Sequence, residues 1–426
     1  MEGISVEQAM EQILQYTPVI NETEEVELNK AGGRILAQDM VAEFNNPPFD
    51  RSPVDGYACK AEDLAGASSE HPVKLKVMEE IDAGQYSERV VEHGQAVRIM
   101  TGAAIPKGCD CCIYQERTDY GEDFVEIYTE QKQWDNYCFA GEDFKKGTTL
   151  LKKGTHISYV EAAVIAGMGV AKVPVYRQPK IVLLTTGDEV LEPGNPLPAG
   201  KIYNSNMTML SARLRELGIE PFHMEAVKDE PQIMAEKLKE AAEQADMIIT
   251  TGGVSVGKKD IMHESLRLIN AERIFWRVKM KPGMPTLFSV YNKVDSNGNI
   301  LGKCMADACV TGRKVPVISL SGNPFGVAVT VELLIRPALE KMMQNPVIGL
   351  KEVAGVMADD FVKEIKGRRF IRAYWEDGKF HLPNGLHSNG VLSSMAGCNC
   401  LIDTKTMEDQ ESKNLNTGDK VSAILL

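Results

Sequence analysis

A chain of 426 residues is longer than one hydrophobic core ordinarily spans, so roughly three domains are expected. Hydrophobic residues at 43% and charged residues at 25% are those of a soluble globular protein, and no run of 18 apolar residues offers a membrane span. A formal net charge of -13, with no long Lys/Arg block, argues against nucleic acid as the main partner, because phosphate neutralisation supplies most of that affinity.

The N-terminal stretch "MEGISVEQAMEQILQY" has no basic region and no unbroken apolar core. It reads as an amphipathic helix, with Ile4, Met10, Ile13 and Leu14 near one face, and not as a signal peptide. Nine cysteines without a targeting segment suggest reduced thiols and a cytoplasmic location. Cys109 and Cys112 form one C-x-x-C, but no second pair follows at zinc-ribbon spacing. The segment "CDCCIYQE" alternates as a half-buried strand does, and free Cys favours burial.

From about Asn45 to Asp143 the chain turns to short β-like runs, among them "VKLKV", "QAVRIM" and "DFVEIY", separated by Gly, Pro and Asp. That texture predicts a β-rich module over 47–143. The flanking segments 1–46 and 144–175 read together as a helical linker region. Beyond Pro179, "KIVLLTTGDEV", "DMIITTGG" and "VPVISL" are apolar strands alternating with amphipathic helices. The alternation predicts an α/β domain with a parallel sheet over 176–340. Short β-like runs return over 350–426 as a C-terminal β domain.

Ligands of open α/β sheets bind beyond the carboxyl ends of the strands. Three such ends carry glycine-bearing loops: "TTGDE" (Thr185 to Glu189), "TTGGVSVGKKD" (Thr250 to Asp260) and "SLSGNP" (Ser319 to Pro324). Gly and Pro make βα turns in any case, but three in register on one sheet edge favour a ligand site. The second loop nearly matches a P-loop, yet Lys259 stands where a P-loop has Ser or Thr for its metal. It is not a P-loop. Asp188, Glu189 and Asp260 offer hard oxygen ligands for Mg²⁺. In "FWRVKMKPGMP", Arg277, Lys279 and Lys281 alternate, so an extended segment would present a cationic strip: an anion site, or a strand edge guarded by charge. "NNPPFDRSPVDGYA" and "MTGAAIPKG" are rigid loops at the entrance to the β-rich module, carrying Asp55 and Thr101. No H-E-x-x-H or G-x-S-x-G supports a hydrolase.

Taken together, "SPVDGYA", "RIMTGAAIP", "GED", "TTGDEV", "TTGGVSVGKKD", "WRVKMKPG", "SGNP" and "VLSSM" resemble the molybdopterin molybdenumtransferase family, that of bacterial MoeA and the gephyrin E-domain. The resemblance implies an α/β molybdopterin-binding domain, a β-rich N-terminal module and a C-terminal β-barrel-like domain. It also implies a cytoplasmic homodimer whose site is shared between protomers, without nucleic acid or membrane. The implied reaction inserts molybdenum from molybdate into adenylylated molybdopterin and releases AMP, assisted by Mg²⁺. Carried over, the catalytic positions are Asp55, Thr101, Asp143, Arg277 and Lys281, and the metal positions Glu189, Asp229 and Asp260. The substrate-binding positions are Thr186, Gly187, Asp188, Gly252, Gly253, Ser255, Gly257, Gly322, Asn323, Arg372 and Asn389.

Three positions depart from the family pattern: Met284 replaces a Lys, Ser321 a Pro, and Asn389 a Ser. An insertion spans about Tyr291 to Lys314. Such changes fit a tungstate-selective insertase or a non-catalytic molybdopterin-binding or scaffold paralogue as alternatives. A molybdopterin adenylyltransferase would resemble the α/β domain alone, and the extra β modules speak against it.

Overall fold

The computed structural model describes residues 1–254, 261–292, 314–365, 367–405 and 413–426. Two compact units are present. One comprises Met1–Glu24, Gly33–Ile35 and Val175–Leu426, the other Glu25–Gly32 and Leu36–Pro174.

The first unit begins with strand β1 (Glu2–Ile4) and helix α1 (Val6–Tyr16). The N-terminal helix therefore starts later than the pattern predicts. Ser5 caps it, in a reciprocal box with Gln8, and leaves Glu2–Ile4 to join a sheet. Then follow β2 (Ile181–Thr186), α2 (Ser205–Glu216), β3 (His223–Val227), α3 (Pro231–Ala242), β4 (Met247–Thr251), α4 (Ile261–Leu268), β5 (Glu272–Val278), β6 (Leu287–Asn292) and β7 (Lys314–Leu320). The sheet order is β1-β5-β6-β7-β4-β2-β3. The block β7-β4-β2-β3 is parallel, as the strand–helix alternation predicts. Strand β6 is antiparallel to both neighbours, because the short Pro-Gly connection after β5 reverses the chain without a crossover helix.

Every residue of β2 and β4 is buried, since helices cover both faces of the sheet. One face packs α1 and α2 with Ile181, Leu183, Ile249 and Ile318. The other packs α3 and α4 with Val182, Leu184, Ile248 and Val317. A long buried helix follows β7: Pro324–Thr330 (α5), a π-turn over Val331–Ile335, and Arg336–Met343 (α6). Its buried Glu332 accepts from Arg213 at 2.7 Å and from Arg336 at 2.9 Å. Arg336 also donates to the carbonyls of Ile348, Gly349 and Leu425, which ties the helix to the C-terminal domain. That domain is a closed five-stranded barrel of β8 (Glu352–Met357), β9 (Phe370–Glu376), β10 (Lys379–His381), β11 (Cys400–Asp403) and β12 (Lys420–Leu425).

The second unit is built on a five-stranded sheet in the order Cys111–Tyr114, Gly56–Cys59, Gln95–Ile99, Val73–Ile81, Phe124–Ile127. Cys111 and Cys112 are both fully buried, so this strand is covered on two faces where its alternation predicted one. Cys112 packs with Val54, Ala58 and Val97, and Cys111 with Tyr57, Leu75 and Val125. Burial pushes the Cys112 thiol up to about 12, so it behaves as a small hydrophobe. Helix Tyr159–Gly167 starts at Ser158 with a capping box to Glu161. Among the described residues no helix is long and apolar enough to cross a membrane.

Candidate functional site

The parallel block ends in register. Thr185 pairs with Thr251, and Thr251 with Leu320, so the three glycine-bearing loops leave the sheet side by side. Thr186 pairs with Val227, which brings Asp229 to the same edge. Beyond these ends lies a cleft of about 680 Å³. Of the sequence-predicted residues, Thr186, Gly187, Glu189, Asp229, Gly252, Gly253, Gly322 and Asn323 line it.

The glycine at 252 is demanded by geometry. Its φ is +96°, and a Cβ there would lie 2.3 Å from the Thr186 carbonyl oxygen. Only a residue without a side chain lets the second loop close onto the first. The acidic wall is held by side chains: Thr186 Oγ1 donates to Asp229 Oδ1 at 2.7 Å, and the Asp229 amide donates to Asp188 Oδ1 at 3.3 Å. Lys201 Nζ donates to the Asp188 carbonyl at 2.5 Å, which fastens the loop beyond Glu189. Ser255, Gly257 and Asp260 lie outside the described residues, as do residues 293–313 of the insertion.

Other predicted residues sit elsewhere in the first unit. Arg277 has φ +67°, stacks over Trp276 at 4.2 Å and faces Glu2 at 3.6 Å. Lys281 is exposed, and its backbone pairs with Arg368 and Phe370. Neither lines the cleft, and the left-handed turn at Arg277 breaks the extended strip expected from the alternation. Arg372 is fully buried and stacks on the Phe325 ring at 3.6 Å. Its guanidinium donates to the Val391 carbonyl, to Ser394 Oγ at 2.8 Å and to the Ser388 carbonyl at 2.8 Å. It thus holds the loop that presents Asn389, whose carbonyl accepts from the Phe325 amide at 3.3 Å, and Gly390, which lines the cleft.

In the second unit, Asp55 Oδ1 accepts both the Thr101 hydroxyl and the Thr101 amide at 2.7 Å. The hydroxyl first, and then the amide, hold the exposed Asp55 carboxyl below the ordinary carboxylate range. Asp143 accepts from Asn46 Nδ2 at 2.9 Å and donates its amide to the Asn46 carbonyl.

The motif pattern overlooked the segment Tyr203–Asn206, which lines the cleft. Asn204 caps α2, and its Nδ2 reaches Thr185 Oγ1 and Glu192 Oε1, each at 3.0 Å. An Asn-Ser-Asn run before an apolar helix is an N-cap signal, and it was the one available pointer to this wall.

Family comparisons agree with this architecture. Residues 4–169 match the model of the MoeA N-terminal region (domain I and II), 182–341 a probable molybdopterin binding domain, and 354–426 the MoeA C-terminal region (domain IV). The class is thus that of multidomain proteins built around a molybdopterin-binding α/β domain. A Bacillus subtilis molybdopterin molybdenumtransferase is 36% identical over 94% of this chain and 89% of its own length. A Staphylococcus aureus counterpart is 35% identical over 94% of this chain and 90% of its own. Two crystal structures of the molybdopterin biosynthesis MoeA protein from Pyrococcus horikoshii are also similar. One has a TM-score of 0.79 at 27% identity, covering 99% of both chains, and the other 0.75 at 30%, covering 100% of both. The chain belongs to the molybdopterin molybdenumtransferase family, and is accordingly an enzyme, a transferase of molybdenum cofactor biosynthesis. Members of this family use a divalent metal.

Proposed function

We propose that the chain inserts molybdenum from molybdate into adenylylated molybdopterin, with cleavage of the phosphoanhydride link and release of AMP. The observation that carries this reading is the cleft of about 680 Å³ at the strand ends, lined by three glycine loops together with Glu189 and Asp229. Phosphoanhydride cleavage depends on positioning and charge neutralisation more than on covalent catalysis. Backbone loops that admit no side chain suit a phosphorylated ligand lying against them.

Two carboxylates among the described residues suit Mg²⁺, which binds through one or two carboxylates and takes the rest of its shell from water and substrate phosphate. Glu189 and Asp229 would hold it, with Asp260 as a third candidate. Bound there, Mg²⁺ supplies neutralisation of phosphate charge in a protein of net charge -13. Thr186 fixes Asp229 through Oδ1, so Oδ2 stands outside that bond. Thr186, Gly187, Asp188, Gly252, Gly253, Gly322 and Asn323 orient the molybdopterin phosphate, together with Ser255 and Gly257. Arg277 and Lys281 serve as counter-charges for the anionic substrates.

Asp55, kept ionised by Thr101, orients the incoming oxyanion or a water, and Asp143 supports the same loop region. The reading includes a cytoplasmic homodimer in which the β-rich module of one protomer completes the α/β site of its partner. It also includes the four-part division 1–46 with 144–175, 47–143, 176–340 and 350–426.

The test is AMP release from adenylylated molybdopterin with Mg²⁺, with and without molybdate, beside Asp55→Ala. Molybdate-dependent release that the variant loses is the expected result. Binding without release, whether molybdate or tungstate is supplied, sinks the reading. Release that only tungstate elicits reassigns the oxyanion.

A further inference from the structure

Asn206, in the first turn of α2, sits where two of the cleft loops meet. Its Nδ2 donates to Thr251 Oγ1 at 3.0 Å and to the Gly322 carbonyl at 2.9 Å. Thr251 Oγ1, buried at the end of β4, donates in turn to the Ser321 carbonyl at 3.0 Å. The hydroxyl accepts one bond and gives one, so the three contacts form a continuous chain. One amide and one hydroxyl therefore hold two consecutive carbonyls of the S-G-N-P turn. The same turn approaches the T-T-G-G loop so closely that a Cβ at Gly322 would lie 3.9 Å from the Gly252 Cα.

These are bonds to main-chain oxygens. They hold the turn in the same way whichever side chain stands at 321, and the Ser found there leaves the anchor intact. Between the T-T-G-G loop and the strand end before the S-G-N-P turn the backbone ladder closes with the Gly252 amide donating to the Leu320 carbonyl at 3.1 Å. Beyond that bond, Asn206 and Thr251 tie the turn itself to the strand end. Among the described residues, Asn206 is the side chain whose bonds reach both the T-T-G-G strand end and the S-G-N-P turn from a third element. Its remaining oxygen, Oδ1, is buried and has no partner among the described residues.

We infer that Asn206 is a positioning residue for the molybdenum-transfer reaction, acting with Thr251 to set the spacing of the two glycine loops around the phosphorylated ligand. The inference rests on the proposed substrate. It is tested with Asn206→Ala, Thr251→Val and the double variant, each measured for affinity toward adenylylated molybdopterin, for molybdate-dependent AMP release, and for thermal midpoint. A misplacement of about 1 Å can cost about a hundredfold in rate, so N206A is expected to lose roughly ten- to a hundredfold in kcat/KM. Its midpoint is expected to stay within about 4 °C of the parent.

Because both side chains act on one turn, the double variant is expected to be no worse than about twofold below the poorer single variant. N206A activity within about twofold of the parent overturns the inference, as do single losses that multiply in the double variant. If N206A does not fold, T251V decides alone, and an unchanged kcat/KM there overturns the proposal. A parent protein that binds the substrate but releases no AMP counts against the proposed reaction. In that case the affinity of N206A still decides the role of Asn206.

Discussion

The two compact units hold their site-type residues by different means. In the α/β unit the cleft is made by backbone: strands paired in register deliver three loops to one edge, and Gly252 lets two of them touch. In the β-rich unit the exposed Asp55 carboxylate is held by the Thr101 hydroxyl and amide, while its main-chain carbonyl accepts from the Gln115 amide. The first arrangement couples shape to stability, because the cleft's walls are continuous with fully buried strands. The second separates them, because an exposed carboxylate adds little to the fold. Chemistry that depends on shape and chemistry that depends on charge are thus lodged in regions that respond differently to mutation.

The largest expected effect comes from Gly252→Ala. Its Cβ would meet the Thr186 carbonyl at 2.3 Å in a left-handed backbone, and backbone on both sides leaves nothing flexible to yield. Stability is expected to fall by about 1–3 kcal/mol, with AMP release lost along with it. Denaturant titration beside the activity assay checks this, and a stable, active variant would break the distinction between the units.

Next comes Asp55→Asn, which keeps the shape and removes the charge. Release of AMP is expected to drop by about a hundredfold or more while the denaturation midpoint stays put. The sign of the pH dependence follows from the depressed pKa. Asp55 stays ionised as pH falls through the ordinary carboxylate range, so its contribution to activity persists there and fades only below it. A rate profile of the parent that falls with an ordinary carboxylate pKa assigned to Asp55 would contradict this.

The smallest effect is at Glu7, in the first turn of α1. Burial raises its pKa, but bonds from Lys405, its own backbone and Arg368 outweigh that and bring it to about 2. The folded value is depressed, so the stabilisation is complete above the unfolded value near 4.5 and is lost as pH falls toward 2. The side chain is 44% exposed, so screening limits the loss in Glu7→Gln to about 0.2–1 kcal/mol. Urea titrations at pH 7 and pH 3 measure it, and the difference between parent and variant is expected to shrink at the lower pH.

Much of the cleft was legible in the residue pattern because its makers are local. Glycines after apolar strands announce turns, and the acidic residues at 189 and 229 lie within a few residues of strand ends. Arg372 was legible as a substrate-binding position through the resemblance, but its burial was not. A loop 16 to 22 residues further along covers Arg372, and that loop's carbonyls and hydroxyl accept from its two terminal nitrogens. The cationic strip at 277–281 failed as a pattern because alternation assumes extended backbone, and Arg277 leaves that region.

What the sequence by itself determined is the set of elements: apolar runs that must be covered, caps that start helices at Val6 and Tyr159, and glycine turns beyond the strands. Those depend on neighbours along the chain. Tertiary structure alone decided that β1 joins the sheet beside β5, that Cys111 and Cys112 are covered on both faces, and that the Asn206 amide bridges to Thr251 and Gly322. Each of these depends on partners far away in the chain. A hydrogen bond spanning 116 residues leaves no periodicity at either end, so the pattern of the chain predicts where loops stand and the packed sheet decides what joins them.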